Sequence, residues 1–139
     1  QERSSAPAVR VSRGGAVLLV EDEEEVASPL QRFLVEDGHQ VSLARDGKSA
    51  LERIADLRRA GAPLDLIVSD MRMPGLDGPT LYEHLRREDP ELAARILFIT
   101  GDTLSPETSG FLQRSGVPCL AKPFTVEELR RAIDRVLSA

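Results

Sequence analysis

The stretch AVLLVEDEEEV, residues 16–26, runs from an apolar segment directly into five acidic residues. Its apolar part, residues 17–20, has the aliphatic composition of a strand that is buried on both faces of a sheet. The acidic part has two interpretations. It either begins a solvated helix, whose dipole favours negative charge in the first turn, or it forms part of a cation site. The remainder of the chain decides between the two.

Length, charge and cysteine content narrow the class of protein. The chain has 139 residues, of which 41% are hydrophobic, and a net charge of −5, which predicts one domain with a single core. The negative charge argues against nucleic acid as a direct partner, because phosphate binding needs an excess of Lys and Arg. Cys119 is the only cysteine, which excludes an internal disulfide and indicates a reducing, cytoplasmic compartment. No apolar segment reaches the roughly 20 residues that cross a bilayer, so we expect no membrane contact by this domain.

The first 15 residues differ in composition from the rest of the chain. They are rich in Ser, Ala, Pro, Gly and Arg, which predicts a flexible linker or tail. Residues 16–139 are then the folded domain. Because the chain begins with Gln1 rather than Met, we expect it to be a piece of a longer protein.

Short apolar runs alternate with segments of helical spacing along the domain. The runs, which we predict as strands, are residues 17–20, 41–44, 64–68, 96–99 and 117–120. Five strands alternating with five helices predict an α/β fold, a doubly wound parallel sheet with helices on both faces. Because crossovers between parallel strands are right-handed, the flavodoxin-like strand order 2-1-3-4-5 is favoured at this length.

The last two predicted helices differ in strength. The helix at residues 105–115 contains only Phe111 and Leu112 as large apolar residues, so we expect it to be weakly held and mobile. The final helix begins with Thr125 followed by Glu128, the spacing of a capping box that satisfies N–H groups at a helix start.

Polar residues follow four of the predicted strands at their carboxyl ends. Glu21 and Asp22 follow the first strand, Asp70 ends the third, Thr100 ends the fourth and Lys122 follows the fifth. In the predicted order the first and third strands are neighbours, and the ligand crevice lies at their carboxyl ends. Carboxylates held close together resist joint ionisation, so a divalent cation is needed to balance them. Oxygen ligands favour Mg²⁺, with Mn²⁺ as the alternative, over Zn²⁺.

Four motifs together give the chain a family resemblance. They are the acidic pair after the first strand, SDMRMPGLDG at residues 69–78, TG at 100–101 and KPF at 122–124. Each alone is a weak signal, but the combination is specific. Over residues 16–138 the chain resembles the response-regulator receiver domain, the phospho-acceptor module of bacterial two-component signalling.

The resemblance implies a phosphorylation site and a metal site. Asp70 is expected to take a phosphoryl group from a phosphohistidine donor, which is a histidine kinase or a phosphotransfer domain. Glu21, Asp22 and Asp70 are expected to hold Mg²⁺ together with the backbone carbonyl of Arg72. Glu21 stands where Asp is commoner in the family, which keeps the carboxylate and lengthens its reach.

The resemblance also implies roles at the ends of the fourth and fifth strands. Thr100 is expected to hydrogen-bond one phosphoryl oxygen and Lys122 to pair with another, with a cis bond between Lys122 and Pro123. Gly101 leaves room for the phosphoryl group. Cys119 stands at the switch position, where many receivers carry a Tyr or Phe that turns inward on phosphorylation. Without that aromatic ring the usual switch with Thr100 does not operate as described, and we interpret the thiol as a packing group.

Other polar residues have structural interpretations. Residues 23–25 are explained by helix-start electrostatics. Asp77 and Asp102 are interpreted as turn or capping residues. His39 is interpreted as a loop histidine and His84 as a histidine on a helix surface.

Three alternative functions remain. A phosphatase with an Asp nucleophile and Mg²⁺ usually has a second Asp two residues after the nucleophile, where this chain has Arg72. A mononucleotide binder of flavodoxin type needs a phosphate-binding loop after the first strand, where Glu21 and Asp22 would repel phosphate. A pseudo-receiver would act as a protein-binding scaffold without phosphorylation, against which the full acidic and lysine set argues.

The parent protein also has two interpretations. The segment at residues 100–124 resembles the end of receivers in hybrid sensor histidine kinases, so we expect a C-terminal receiver of such a kinase. The alternative is a stand-alone or N-terminal receiver of a response regulator. In either context the domain is expected to catalyse its own phosphorylation and dephosphorylation.

Overall fold

The sheet has five parallel strands in the order β2-β1-β3-β4-β5, as predicted. The computed structural model describes residues 15–73, 75–101 and 105–138, so the predicted linker lies outside the described residues except for Gly15. The strands are β1 Ala16–Val20, β2 Gln40–Ala44, β3 Leu66–Asp70, β4 Ile96–Thr100 and β5 Cys119–Ala121.

The described residues form six helices rather than the predicted five. They are α1 Glu24–Glu36, α2 Gly47–Ala60, α3 Gly78–Glu88, α4 Pro90–Ala93, α5 Pro106–Ser115 and α6 Val126–Ser138. The additional helix, α4, is a single turn. Asp89 precedes its first residue, and the Asp89 side chain accepts the Leu92 N–H at 3.2 Å, which caps the turn. Among the described residues, no helix is both long enough and apolar enough to cross a membrane.

Two strands begin two residues later than predicted. β3 ends at Asp70, as predicted, but begins at Leu66 rather than at residue 64. β5 begins at Cys119 rather than at residue 117 and has only three residues. Pro118 and Pro123 flank it, and because proline has no N–H to donate, this keeps the strand short.

Side chains of the central strands alternate between two apolar cores, one on each face of the sheet. The α1/α6 face takes Val17 and Leu19 of β1 and packs them against α1 and α6. The α2/α3/α5 face takes Leu18 and Val20 and packs them against α2, α3 and α5. This alternation follows from the two-residue period of a strand, and it explains why β1 is apolar throughout.

The helices α5 and α6 are held differently. At α6 the predicted capping box is confirmed, since Thr125 N–H donates to Glu128 at 2.8 Å and Glu128 N–H donates to Thr125 Oγ1 at 3.0 Å. On α5 the ring of Phe111 packs edge-on against Phe98 of β4 and Tyr82 of α3, with centroids 5.8 and 5.7 Å away. One aromatic side chain therefore provides much of the attachment of α5, and its predicted mobility stays a prediction.

Candidate metal centre

Three carboxylates meet at the carboxyl end of the sheet. Glu21 directly follows β1, and its N–H extends the ladder by donating to Ala44 at 3.0 Å. Asp22 comes next in the chain, and Asp70 is the last residue of the adjacent strand β3. One carboxylate oxygen from each of these three residues lies within 4.8 Å of the others. The order of the strands thus brings together two acidic segments that are far apart in the sequence.

Two carboxyl groups of this cluster have raised pKa values. Burial, above all, raises the pKa of Glu21 to about 7, and the neighbouring charges of Asp70 and Asp22 add to the rise. Burial also raises the pKa of Asp70 above its ordinary value, although the charge of Lys122 opposes this rise. A divalent cation would relieve both effects, and carboxylate oxygens are the ligands that Mg²⁺ prefers. The residues present therefore fit such an ion.

The predicted phosphate-facing residues lie on the neighbouring strands. Thr100 ends β4 and is 1% exposed, and its carbonyl accepts the N–H of Lys122 at 2.8 Å. The ammonium group of Lys122 lowers the pKa of both Glu21 and Asp70, so its positive charge faces the carboxylates. The peptide bond between Lys122 and Pro123 is cis, as expected. A Cβ atom on Gly101 would meet no other atom within 4 Å, which leaves open space beside Thr100.

Arg72 lies in the loop between β3 and α3. Its N–H group and that of Met71 hydrogen-bond to Asp70 and oppose the rise in the pKa of that carboxyl. Met71 and Met73, on either side of Arg72, are buried in the core of the α2/α3/α5 face. The backbone at Arg72 is therefore held between two anchored side chains beside Asp70, a constraint that the motif alone did not reveal.

Cys119 and Asp77 lie where their structural interpretations placed them. Cys119 packs against the core of the α2/α3/α5 face, and burial raises the pKa of its thiol to about 11. The thiol is therefore protonated near neutral pH and unreactive. Asp77 caps α3 by accepting the Thr80 N–H at 3.0 Å, whereas Asp102 lies outside the described residues.

The two histidines lie in the elements predicted for them, but His39 is not solvated. His84 is half-buried on α3. His39 lies in the loop before β2 with 4% of its surface exposed, and neither ring nitrogen has a hydrogen-bond partner among the described residues. No local sequence pattern predicted this burial.

The sequence model of the family described as "Response regulator receiver domain" matches residues 17–134. This match covers most of the chain and includes every residue of the site above. The chain belongs to the response-regulator receiver domain family. Receiver domains take part in two-component signalling, accept phosphoryl groups from histidine kinases and generally bind Mg²⁺.

Solved structures of receiver domains share the fold of this one. The chemotaxis protein CheY4 of Vibrio cholerae aligns with a TM-score of 0.74 and 31% identity, over 89% of this chain and 99% of CheY4. The signal receiver domain of an HD domain-containing protein from Pseudomonas fluorescens aligns with a TM-score of 0.77 and 26% identity, over 91% of this chain and 96% of that domain.

The curated relatives are longer proteins that contain a similar receiver domain. The sensor kinase CckA of Brucella abortus is 32% identical over 137 residues, which is 99% of this chain and 14% of CckA. The response regulator MprA of Mycolicibacterium vanbaalenii is 38% identical over 114 residues, which is 81% of this chain and 46% of MprA. This receiver domain therefore spans less than half the length of either relative.

Proposed function

We propose that this receiver domain takes a phosphoryl group from a phosphohistidine onto Asp70 in a reaction that requires Mg²⁺. The observation that carries the proposal is the cluster of Glu21, Asp22 and Asp70, whose carboxylate oxygens lie within 4.8 Å of one another and face one lysine. In this proposal the three carboxylates and the carbonyl of Arg72 hold the ion.

Each residue of the site has a task in phosphoryl transfer, a reaction that depends on positioning and charge neutralisation. An oxygen of Asp70 attacks the phosphorus atom, and the bond from phosphorus to the imidazole nitrogen of the donor breaks. The bound metal supplies positive charge to the phosphoryl oxygens. The hydroxyl of Thr100 donates a hydrogen bond to one phosphoryl oxygen, and the ammonium group of Lys122 pairs with another. The open space at Gly101 admits the group.

The proposed partner is a histidine kinase or a phosphotransfer domain in the cytoplasm. Similarity to the sensor kinase CckA over 99% of the chain supports a receiver that forms part of a sensor kinase. Similarity to the response regulator MprA supports the alternative, a receiver that forms part of a response regulator. The net charge of −5 favours a protein partner over direct contact with nucleic acid.

Labelling with radioactive acetyl phosphate and Mg²⁺ tests the proposal. We expect the wild-type chain to be labelled and Asp70→Asn to lose the label, because the amide is not a nucleophile for this reaction. Asp134→Asn on α6 is the matched control and should be labelled like the wild type. Equal labelling of Asp70→Asn would place the acceptor elsewhere, and an unlabelled wild type would favour the pseudo-receiver alternative.

A further inference from the structure

The carbonyl of Arg72 differs from the other proposed ligands in how its position is set. Glu21, Asp22 and Asp70 stand at the ends of paired strands, so the sheet fixes their backbone. Arg72 instead lies in the β3–α3 loop, which begins after Asp70 and ends at Gly78. Its carbonyl can contribute to a metal shell only where contacts with the rest of the domain hold this loop.

The first of these contacts closes the loop at its base. Met71 N–H donates to Ile99 at 2.9 Å, and the carbonyl of Met71 accepts the N–H of Gly78, also at 2.9 Å. A Cβ atom on Gly78 would lie 2.9 Å from that carbonyl oxygen and 2.8 Å from the ring of Phe98. The start of α3 therefore approaches Met71 this closely because residue 78 has no side chain.

The second contact holds the far side of the loop against α2. A Cβ atom on Gly47 would lie 2.4 Å from both the carbonyl oxygen and the Cδ2 atom of Leu76. The backbone of the loop thus occupies the position that any side chain at residue 47 would need. Rotation of the Leu76 side chain cannot relieve this overlap, since one of the two atoms belongs to the backbone.

Two features show that the approach itself requires glycine at this position. Gly47 is not among the glycines with positive φ, so its backbone conformation is open to other residues. It is also the first residue of α2, whose start is fixed because Asp46 accepts the Ser49 N–H at 2.8 Å and Ala50 is fully buried. The position of Gly47 is therefore fixed by α2, and the loop packs directly against its backbone.

We propose that Gly47 is a positioning residue for the metal centre: by admitting the backbone of Leu76, it holds the far side of the loop and so acts together with Met71 and Met73 to position the Arg72 carbonyl. This inference rests on the function proposed above. It extends the site to an element, α2, that contributes no ligand and no phosphate contact.

The test compares Gly47→Ala with the wild-type chain by isothermal titration calorimetry with MgCl₂. The added methyl group displaces the loop, and we expect Mg²⁺ affinity to fall roughly tenfold, the scale seen when groups that orient metal ligands are removed. Gly110→Ala is the matched control, because its Cβ atom meets only the movable end of Arg114. In Mg²⁺-free protein, the amide resonances of residues 71–73 and 75–78 should shift in Gly47→Ala and remain unchanged in Gly110→Ala.

The outcomes separate a positioning role from a structural one. Unchanged Mg²⁺ affinity in folded Gly47→Ala, with a loss of stability alone, overturns the proposal. If that variant does not fold, Gly47→Ala combined with Leu76→Ala decides instead, with Leu76→Ala alone as the reference. The combination removes the overlap with the Cδ2 atom of Leu76 and keeps the overlap with its carbonyl oxygen, so weaker Mg²⁺ binding than in the reference supports the proposal and equal binding overturns it. Asp22→Ala tests the metal site itself. If the wild type and Asp22→Ala bind Mg²⁺ equally, the proposed function fails first and the role of Gly47 fails with it.

Discussion

At the amino end of the sheet the charged groups have hydrogen-bond or ion-pair partners, whereas at the carboxyl end three carboxylates lie together beside the ammonium group of Lys122. Asp65, just before β3, accepts the Ala16 N–H at 2.8 Å, and Arg95 donates to the carbonyl of Asp65 at 2.9 Å. Nearby, Arg58 of α2 and Asp89 at the end of α3 form an ion pair at 2.9 Å. These charges connect strands and helices, and each has its partner within the domain.

The carboxyl end is arranged in the opposite way. Glu21, Asp22 and Asp70 lie together beside the positive charge of Lys122, and burial, with a contribution from the neighbouring carboxylates, raises the pKa of Glu21 to about 7. Ionised carboxylates in this arrangement oppose folding in the absence of a cation. The charges at the amino end therefore stabilise the fold, while those at the carboxyl end lower its stability and form a cluster that could hold a cation.

The largest expected effect is a dependence of stability on pH that originates at the carboxyl end. Because the folded state raises the pKa of Glu21 from 4.5 to about 7, it retains a proton that the unfolded chain has lost. This contribution is fully present below pH 4.5 and is lost as pH rises through 7, a decrease of about 3 kcal/mol in the free energy of unfolding. Urea unfolding of metal-free protein at several pH values measures it.

Glu21→Gln and Mg²⁺ should each abolish most of that decrease. The amide does not titrate, and a bound cation favours the ionised carboxylate. If Glu21→Gln shows the same decrease between pH 4.5 and 7 as the wild type, the buried carboxyl group of Glu21 is not its cause. The carboxyl end would then not differ from the amino end in its effect on stability.

A smaller effect is expected from Asp65→Ala at the amino end. The substitution leaves the Ala16 N–H without the carboxylate that it bonds at 2.8 Å, which should lower the free energy of unfolding by about 2 kcal/mol. Mg²⁺ affinity should stay unchanged, because the two ends are separated by the length of the strands. Thermal unfolding and calorimetry measure the two quantities. Asp65→Asn, which keeps an acceptor oxygen, should lose less stability than Asp65→Ala. A change in the Mg²⁺ affinity of Asp65→Ala would show that the two ends of the sheet are energetically coupled.

The smallest effect is expected from Arg58→Gln. The ion pair with Asp89 is solvent-exposed on both sides, so removing it should change the free energy of unfolding by about 0.5 kcal/mol. Urea unfolding at low and at high salt measures this, since screening should reduce the difference further. A loss of several kcal/mol in the free energy of unfolding would contradict the expectation that this ion pair contributes little to stability.

The sequence was most informative where a residue's role follows from the end of a strand. Asp70 and Thr100 end apolar runs, and the strand order that follows from right-handed crossovers places Asp70 beside Glu21 and Thr100 on the next strand. The short helix α4 was missed because Asp89 and Pro90, which follow α3, are also typical of the end of a helix. The same pair also caps a new helix, as Ser105 and Pro106 do at the start of α5.

Features that depend on contacts between distant segments were beyond the reach of local patterns. Gly47 and Leu76 lie far apart in the sequence, and neither residue shows by itself that the two backbones touch. His39 stands in a polar turn, and its burial arises because the start of β1 approaches it: a Cβ atom on Gly15 would lie 3.0 Å from its Nδ1 atom. Such contacts arise from tertiary packing rather than from composition or periodicity.

The shortness of β5 has a consequence for association between molecules. An edge strand can recruit a strand from another copy when it offers a row of free backbone N–H groups. Along this edge, Pro118 and Pro123 offer none, and the N–H of Lys122 already donates inward to Thr100 at 2.8 Å. The opposite edge, β2, is five residues long and exposes Leu43. At high protein concentration, intermolecular growth of the sheet should therefore begin at β2, so an aggregation-resistant variant should carry its substitution there.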